Sequence, residues 1–304
     1  MTVLRRLLHA VLAAAGLLAA AGNAQAVEIA APYVPTAPSV VERMLEIATV
    51  GPDDYVIDLG SGDGRIVITA ARKHGARGFG IEIDPQLVAQ ANANARAAGV
   101  GDRVSFREGD LFATDLSQAT VITIYLLKRA TMKLRSGLFE LKPGTRIVSN
   151  AASMGDWKPD HFEILDVKDK VRPDAPSKTY IHFWIVPAKV AGTWRWSTRM
   201  GTRTQVYELS VSQQFQMLSG TLRVGGKEVT LEEGKLRGDR ITLGFTAEVD
   251  GKPLHHRLAG RVAGRSIVGT ASVEGGRPQG EVEWKAIRAT SPEAASRPGN
   301  VPAQ

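Results

Sequence analysis

The chain of 304 residues contains no cysteine. That excludes disulfides, thiolate metal sites and a cysteine nucleophile. It suits an oxidising compartment without requiring one. Histidine is sparse: His74, His161 and His182 stand alone, and His255-His256 would point to opposite faces of a strand. No H-E-x-x-H motif or histidine–acid cluster occurs, so no metal is expected. The G-x-S-x-G signature of serine hydrolases is missing too. Beyond residue 26 no run of about 18 apolar residues occurs, so the mature chain is expected to be soluble. Aromatic residues make up only 6% of the chain and do not interleave with the basic ones, so no specific nucleic-acid partner is expected.

The apolar residues that would make a long run sit at the N-terminus. Arg5 and Arg6 precede an apolar stretch from Leu7 to Ala21, interrupted by His9, and Ala24-Gln25-Ala26 is a small-x-small cleavage site. Residues 1–26 therefore read as a signal peptide, cut after Ala26, which sends the mature chain to the periplasm or out of the cell. An inefficient signal would leave a cytoplasmic pool. The net charge of +7 is uneven: residues 27–187 carry −1 and residues 188–304 carry +6. The basic half reads either as a solvated surface or as weak contact with an anionic envelope surface.

After the leader, Ala31-Pro32-Tyr33-Val34-Pro35-Thr36-Ala37-Pro38 must be extended, because proline bars helix around it. Ser39 is placed to cap a helix bearing the stripe Val40, Val41, Met44, Leu45 and Ala48. Strand and helix patterns then alternate. Strands are expected at 55–59, 78–83, 104–107, 119–127, 145–149, 162–167 and 179–186, with helices at 65–74, 86–98 and 130–141. This alternation predicts an α/β domain over 27–187, a doubly wound, mostly parallel seven-stranded sheet. The texture changes at Pro187. About eight short alternating runs follow, the third beginning at Phe215 and the fourth covering Glu228–Glu232. Gly225-Gly226, Gly238-Asp239, Asp250-Gly251 and Gly275-Gly276 separate several of them. They predict a small antiparallel β-barrel over 188–290, ahead of a Pro-, Ala- and Ser-rich disordered tail from 291 to 304.

The chemistry concentrates in Val56-Ile57-Asp58-Leu59-Gly60-Ser61-Gly62-Asp63-Gly64-Arg65. An apolar strand ends in an acid, passes through three alternating glycines and enters a helix. That order builds a nucleotide-type pocket at the carboxyl end of a parallel strand. The spacing is G-x-G-x-G, unlike the G-x-G-x-x-G of dinucleotide binders, and Asp58 would repel a pyrophosphate. It would welcome an ammonium, which S-adenosyl-L-methionine (SAM) carries and a nicotinamide dinucleotide does not. Gly60, Ser61, Gly62, Asp63 and Gly64 would wrap the methionine part, with backbone N–H groups at the helix start facing its carboxylate. Glu82, about 20 residues on, would accept from the ribose hydroxyls. Asp110 would accept from the adenine amino group while Leu111 packs on the ring. Asp84, before Pro85, reads as a helix cap.

With these residues in place the chain resembles the class I SAM-dependent methyltransferases over roughly Tyr33–Val186. Three segments, Tyr33–Thr36, Asp58–Val67 and Leu141–Ser149, are similar to bacterial relatives of the mitochondrial protein-lysine methyltransferases. Residues 120–150 are arranged, more distantly, like the Dot1-type histone-lysine enzymes. The resemblance implies methyl transfer to a lysine or another amine acceptor, on a protein or a small molecule. A lysine acceptor must be neutral, which costs about 4.6 kcal/mol at pH 7 from a reference pKa near 10.4. Tyr125 reads either as the residue lining the acceptor channel and orienting the amine, or as a packed strand residue. This chain departs from its relatives where Dot1-type enzymes carry asparagines and it has Tyr125-Leu126. It departs again at Lys128-Arg129, where bacterial relatives have proline and an acid. A different reading follows from the leader: SAM is made in the cytosol, so an exported chain with this pocket would be a non-catalytic adenosyl- or nucleoside-binding protein.

In the second half, Gly192-Thr193-Trp194 and the late Arg288 resemble the G-x-W start and Trp-packed arginine of lipocalin-like barrels. That resemblance implies a small apolar ligand inside; the other reading is a barrel filled by its own side chains. Trp196 lies on the same strand face as Trp194 and is expected in the core.

Overall fold

A computed structural model describes residues 32–200, 203–249, 252–274 and 281–289. The expected signal peptide and C-terminal tail lie outside the described residues. Helix α1 (Pro38–Ile47) packs Val40, Val41, Met44 and Leu45 against the first sheet. Ser39 does not cap it. Ala37 holds the cap position, and the Ser39 N–H donates instead to Asp169 Oδ2 at 2.7 Å. The carboxylate that satisfies the helix start thus arrives 130 residues later in sequence, out of reach of local pattern reading.

The first sheet contains β1 (Tyr55–Leu59), β2 (Arg77–Glu82), β3 (Val104–Glu108), β4 (Val121–Ile124), β5 (Arg146–Asn150), β6 (His161–Asp166) and β7 (Lys178–Ile185). Helices α2 (Arg65–His74), α3 (Pro85–Ala97) and α4 (Lys128–Phe139) connect the parallel strands. The spatial order is β3-β2-β1-β4-β5-β7-β6, with β7 antiparallel to both neighbours. This is the expected doubly wound, mostly parallel seven-stranded sheet. Strand order reverses between β1 and β4, so the crevice at their carboxyl ends is the topological switch point.

One strand is shorter than its apolar run predicts. β4 stops at Ile124, where its partners Leu59 and Ser149 also reach the sheet's upper edge. Tyr125–Leu127 leave the sheet, Leu127 becomes the α4 cap, and the helix starts at Lys128 instead of Ala130. The apolar character of Leu126 serves packing under the pocket, not pairing.

The second sheet is a closed antiparallel barrel: β8 (Gly192–Met200), β9 (Arg203–Gln214), β10 (Met217–Val224), β12 (Glu233–Arg237), β13 (Arg240–Val249), β14 (Lys252–Ala263), β15 (Ser266–Glu274) and β16 (Val282–Arg288), which returns to β8. Short β11 (Lys227–Thr230) pairs with β10. The run expected at Glu228–Glu232 is thus split. Leu231 and Glu232 bond to Gly220 and Gly244 and carry the chain from one pairing to the next. The strand expected to begin at Phe215 begins at Met217. Phe215-Gln216 form a two-residue turn between Gln214 and Met217, with Phe215 at φ 53°. Trp194 and Trp196 are both buried, and the Arg288 guanidinium lies 4.7 Å from the Trp194 ring centroid.

That turn joins the sheets. The Phe215 ring stacks on Trp157 (centroids 5.4 Å apart, 3° between planes) and meets Phe139 edge-on at 5.3 Å. Gln216 Nε2 donates to the Lys158 carbonyl at 2.6 Å, and the Ala188 N–H donates to the Gly238 carbonyl at 2.8 Å.

Candidate active site

The carboxyl ends of β1, β2, β3 and β4 open into one solvent-facing cavity. Asp58, Gly60, Ser61, Gly62, Asp63, Glu82, Asp110, Leu111 and Tyr125 all line it. Gly64 does not. It caps α2 at φ 84°, and a Cβ there would come 2.5 Å from Phe106 Cζ, so its role is helix–sheet packing.

Asp58 is 2% exposed, between Gly80 and Thr123 on the flanking strands. Burial pushes its carboxyl up to about 7; the Thr123 hydroxyl, donating at 2.5 Å, opposes the shift, and the charges of Glu82 and Asp63 add to it. The glycine loop turns through left-handed conformations at Gly60 (φ 81°) and Gly62 (φ 54°). Glu82 ties the loop to β2: its Oε2 accepts the Gly62 N–H at 2.9 Å, and Oε1 accepts the Ile83 and Asp84 N–H groups. Asp84 caps α3 by accepting from Gln86 N at 2.8 Å, as its sequence context predicts. Asp110 is exposed, and its Oδ1 accepts the Phe112 N–H at 2.8 Å, which fixes the turn after β3.

Sequence reasoning missed the strap from Pro32 to Thr36, which lines the same cavity. The Tyr33 ring lies against the glycine loop so closely that a Cβ on Gly62 would meet it at 2.4 Å. Burial and the Asp63 charge raise the Tyr33 hydroxyl above its ordinary value. Arg65, also missed, pairs with Asp63 at 2.6 Å and donates to the Thr36 carbonyl at 2.7 Å. Burial alone would raise the Asp63 carboxyl, but hydrogen bonds and charge from Arg65 outweigh it and hold Asp63 below the usual range. The findable signal was the P-Y-V-P-T segment: Pro32 and Pro35 force an extended strap directly before a helix. The lining therefore carries four carboxylates and one arginine, which is already paired. It suits a ligand with a cationic amine and hydroxyls and opposes a pyrophosphate. No group of three or more histidines and acids able to hold a metal occurs among the described residues.

Comparison with known proteins gives this arrangement a family. The ANTKMT methyltransferase domain family matches residues 58–161, which span the glycine loop, Glu82, Asp110 and Tyr125. A protein-lysine N-methyltransferase of Saccharolobus islandicus (strain REY15A) is 46% identical over 140 residues, covering 45% of this chain and 86% of that protein. This chain belongs to the same methyltransferase family. It is a SAM-dependent methyltransferase. Similarity extends to the adenine nucleotide translocase lysine N-methyltransferase of Mus musculus, 35% identical over 130 residues; the match covers 42% of this chain and 56% of that enzyme. The RNA methyltransferase of Salinibacter ruber, crystallised with S-adenosyl-L-homocysteine, is 52% identical, covering 52% of this chain and 96% of that one at a TM-score of 0.46. SAM is the methyltransferase's cofactor. The cavity fits it: Ser61 Oγ is buried there without a protein partner among the described residues, beside an acid buried to 2% exposure.

Proposed function

We propose that this methyltransferase transfers a methyl group to a lysine ε-amine of a protein substrate. The observation that carries the reading is the convergence of Asp58, Glu82, Asp110 and Tyr125 on one cavity in a chain whose relatives are lysine methyltransferases. Bound SAM supplies an electrophilic methyl on a sulfonium. The chain supplies position. Asp58 holds the ammonium, Glu82 the ribose hydroxyls and Asp110 the adenine amino group, with Leu111 against the base. Such alignment contributes up to ~7–11 kcal/mol to an in-line displacement. The acceptor lysine must enter neutral. Desolvation against Leu126 and Ile81 favours that form, and the Tyr125 hydroxyl, accepting from the amine, orients it.

Tritiated SAM with purified enzyme and a cell-envelope or cytosolic extract tests the reading. Label that survives acid hydrolysis as methyllysine supports it; label on other groups, or none, overturns it. The apolar stretch Leu7–Ala21 and Ala24-Gln25-Ala26 support an exported mature chain, whose acceptor would then lie in the periplasm or beyond. Fractionation of a C-terminally tagged chain decides the compartment.

A further inference from the structure

Strand β6 is one edge of the first sheet: β7 pairs with one side of it, and no strand among the described residues pairs with the other. The register fixes which residues face outward. The Val167 N–H donates to the Ser177 carbonyl at 2.8 Å, one step beyond the paired strands. In an antiparallel pair such bonded positions recur at every second residue, so Leu165, Glu163 and His161 turn their backbone groups toward β7. Phe162, Ile164 and Asp166 turn theirs to the free edge. The β5–β7 pairing agrees: the Ala151 N–H donates to the Tyr180 carbonyl, so Tyr180 and His182 bond to β5 and leave Ile181 and Phe183 for β6.

Two of the outward positions carry exposed apolar side chains. Ile164 is 55% exposed and Phe162 48%, and Tyr180, opposite Ile164 on β7, is 48% exposed. The Phe162 and Tyr180 rings stack with centroids 6.2 Å apart. The connection from β5 to β6 contains no helix that could lie over them. Folded proteins blunt free edges with proline, lysine or other charge. β6 holds no proline or lysine, and its central charge, Glu163, lies on the other face, where Arg43 binds it through Nε at 2.9 Å and Nη2 at 2.7 Å. The sheet's other edge, β3, exposes Arg107 and Glu108 instead.

We propose that β6 pairs antiparallel with β6 of a second copy of this chain, about a two-fold axis beside Glu163. The register is self-complementary. Phe162 falls opposite Ile164 of the second copy, and Ile164 opposite its Phe162, so each free N–H meets a free C=O and the apolar strip runs unbroken between the two Tyr180 rings. Glu163 meets its equivalent across the axis, each carboxylate already held by its own Arg43. Moving the axis to Ile164 would set Phe162 against Asp166 and break the strip. Charge supports the same register. Asp166 of the second copy arrives beside Asp160 at the foot of β6, where a cleft is lined by Arg43, Glu46, Asp160, His161, Lys235 and Arg237. Burial raises the Asp160 carboxyl above its ordinary pKa and the Lys235 and Arg237 charges oppose that, yet neither cation makes an ion pair among the described residues. Asp166 is 70% exposed, with its own-chain cation Lys178 standing off at 3.7 Å, and is placed to complete them. The paired strands run in opposite directions, so the two SAM cavities point away from each other and each is complete in one chain.

Sedimentation equilibrium of the full-length protein is expected to give twice the chain mass at micromolar concentration. Ile164→Glu alters a side chain that is exposed in the single chain, so the fold and SAM binding should persist. It should weaken dimerisation about a hundredfold, because the carboxylate would be buried against Phe162 of the second copy. The absence of cysteine allows the axis to be located. Glu163→Cys should cross-link to its equivalent on mild oxidation, because Cα atoms across a non-hydrogen-bonded pair lie about 4.5 Å apart, inside the disulfide range. Asp166→Cys should stay unlinked, its two copies lying about 20 Å apart at about 3.4 Å per residue. A monomeric native protein overturns the proposal, including one that takes an extended peptide on β6 instead. So does a dimer that survives Ile164→Glu, or Asp166→Cys cross-linking as readily as Glu163→Cys. Should Glu163→Cys fail to fold for want of the Arg43 pair, the native mass and the Ile164→Glu comparison still decide.

Discussion

At the residue scale the site turns on Asp58, a carboxylate placed where water cannot stabilise it. Its folded pKa of about 7 lies above the ordinary 3.8, so between these values the native state holds a proton that the unfolded chain has released. Stability is expected to fall as pH rises through that window, by about 4 kcal/mol in all. Asp58→Asn removes this cost, and its amide oxygen can still accept from Thr123. The variant is expected to melt at higher temperature than the native protein at pH 8 and at a similar one at pH 4, measured by calorimetry. It should also lose SAM binding. In the native protein an ammonium must displace the Asp58 proton below pH 7, so SAM affinity should drop about tenfold per pH unit there. A flat affinity profile between pH 5.5 and 7 would remove Asp58 from the ammonium's partners. Tyr125→Phe keeps the ring and removes the hydroxyl. It should lower kcat roughly 10–100-fold with the SAM Kd unchanged; an unchanged kcat returns Tyr125 to a packing role.

At the scale of elements, the glycine loop and the strap act as one unit. Gly62→Ala meets two obstacles: a left-handed φ of 54°, costing a side-chain residue about 1–2 kcal/mol, and a Cβ 2.4 Å from Tyr33. The strap is partly exposed and can swing away, so stability should fall by only about that amount while SAM affinity falls further. Tyr33→Ala in the same background should restore part of the stability but not the affinity, a coupling that a double-mutant cycle measures. The Phe215 turn is the other composite element. A phenylalanine at φ 53° is tolerated because Trp157 and Phe139 hold its ring. Phe215→Ala should cost about 2–4 kcal/mol in urea melts. Phe215→Gly relieves the backbone but loses the same stacking. If it proves as stable as the native protein, the ring contacts contribute nothing net.

For the whole molecule, the barrel and the α/β sheet share apolar surface, so they are not independent beads on a string. Phe215 packs on the same cluster as Trp157, Trp184 and Leu138, which also lies beneath α4. Lys189 adds an ion pair to Glu140 at 2.8 Å and sits 3.2 Å from the Phe139 ring centroid. A chain ending at Pro187 would expose Trp157 and Phe139. It is expected to melt below the full-length protein and to show raised binding of hydrophobic dyes, even though every SAM-contacting candidate is retained. An unaltered melting temperature would make the barrel a passive appendage.

Local patterns along the chain were enough for the class of sheet, the helix and strand succession and the three acid-bearing strand ends. Those features are local: glycine where φ must turn positive, apolar residues at period 2 or 3.6, proline and Asp84 where α3 starts. The resemblance to lipocalin-like barrels also pointed to Trp194 with Arg288. Tertiary structure decided the rest. The cap on α1 comes from Asp169, the strap's Tyr33 closes on Gly62, and Phe215 leaves its strand to enter another domain's core. Each depends on residues far apart in the chain meeting in space, and local propensity carries no information about which distant partner will arrive.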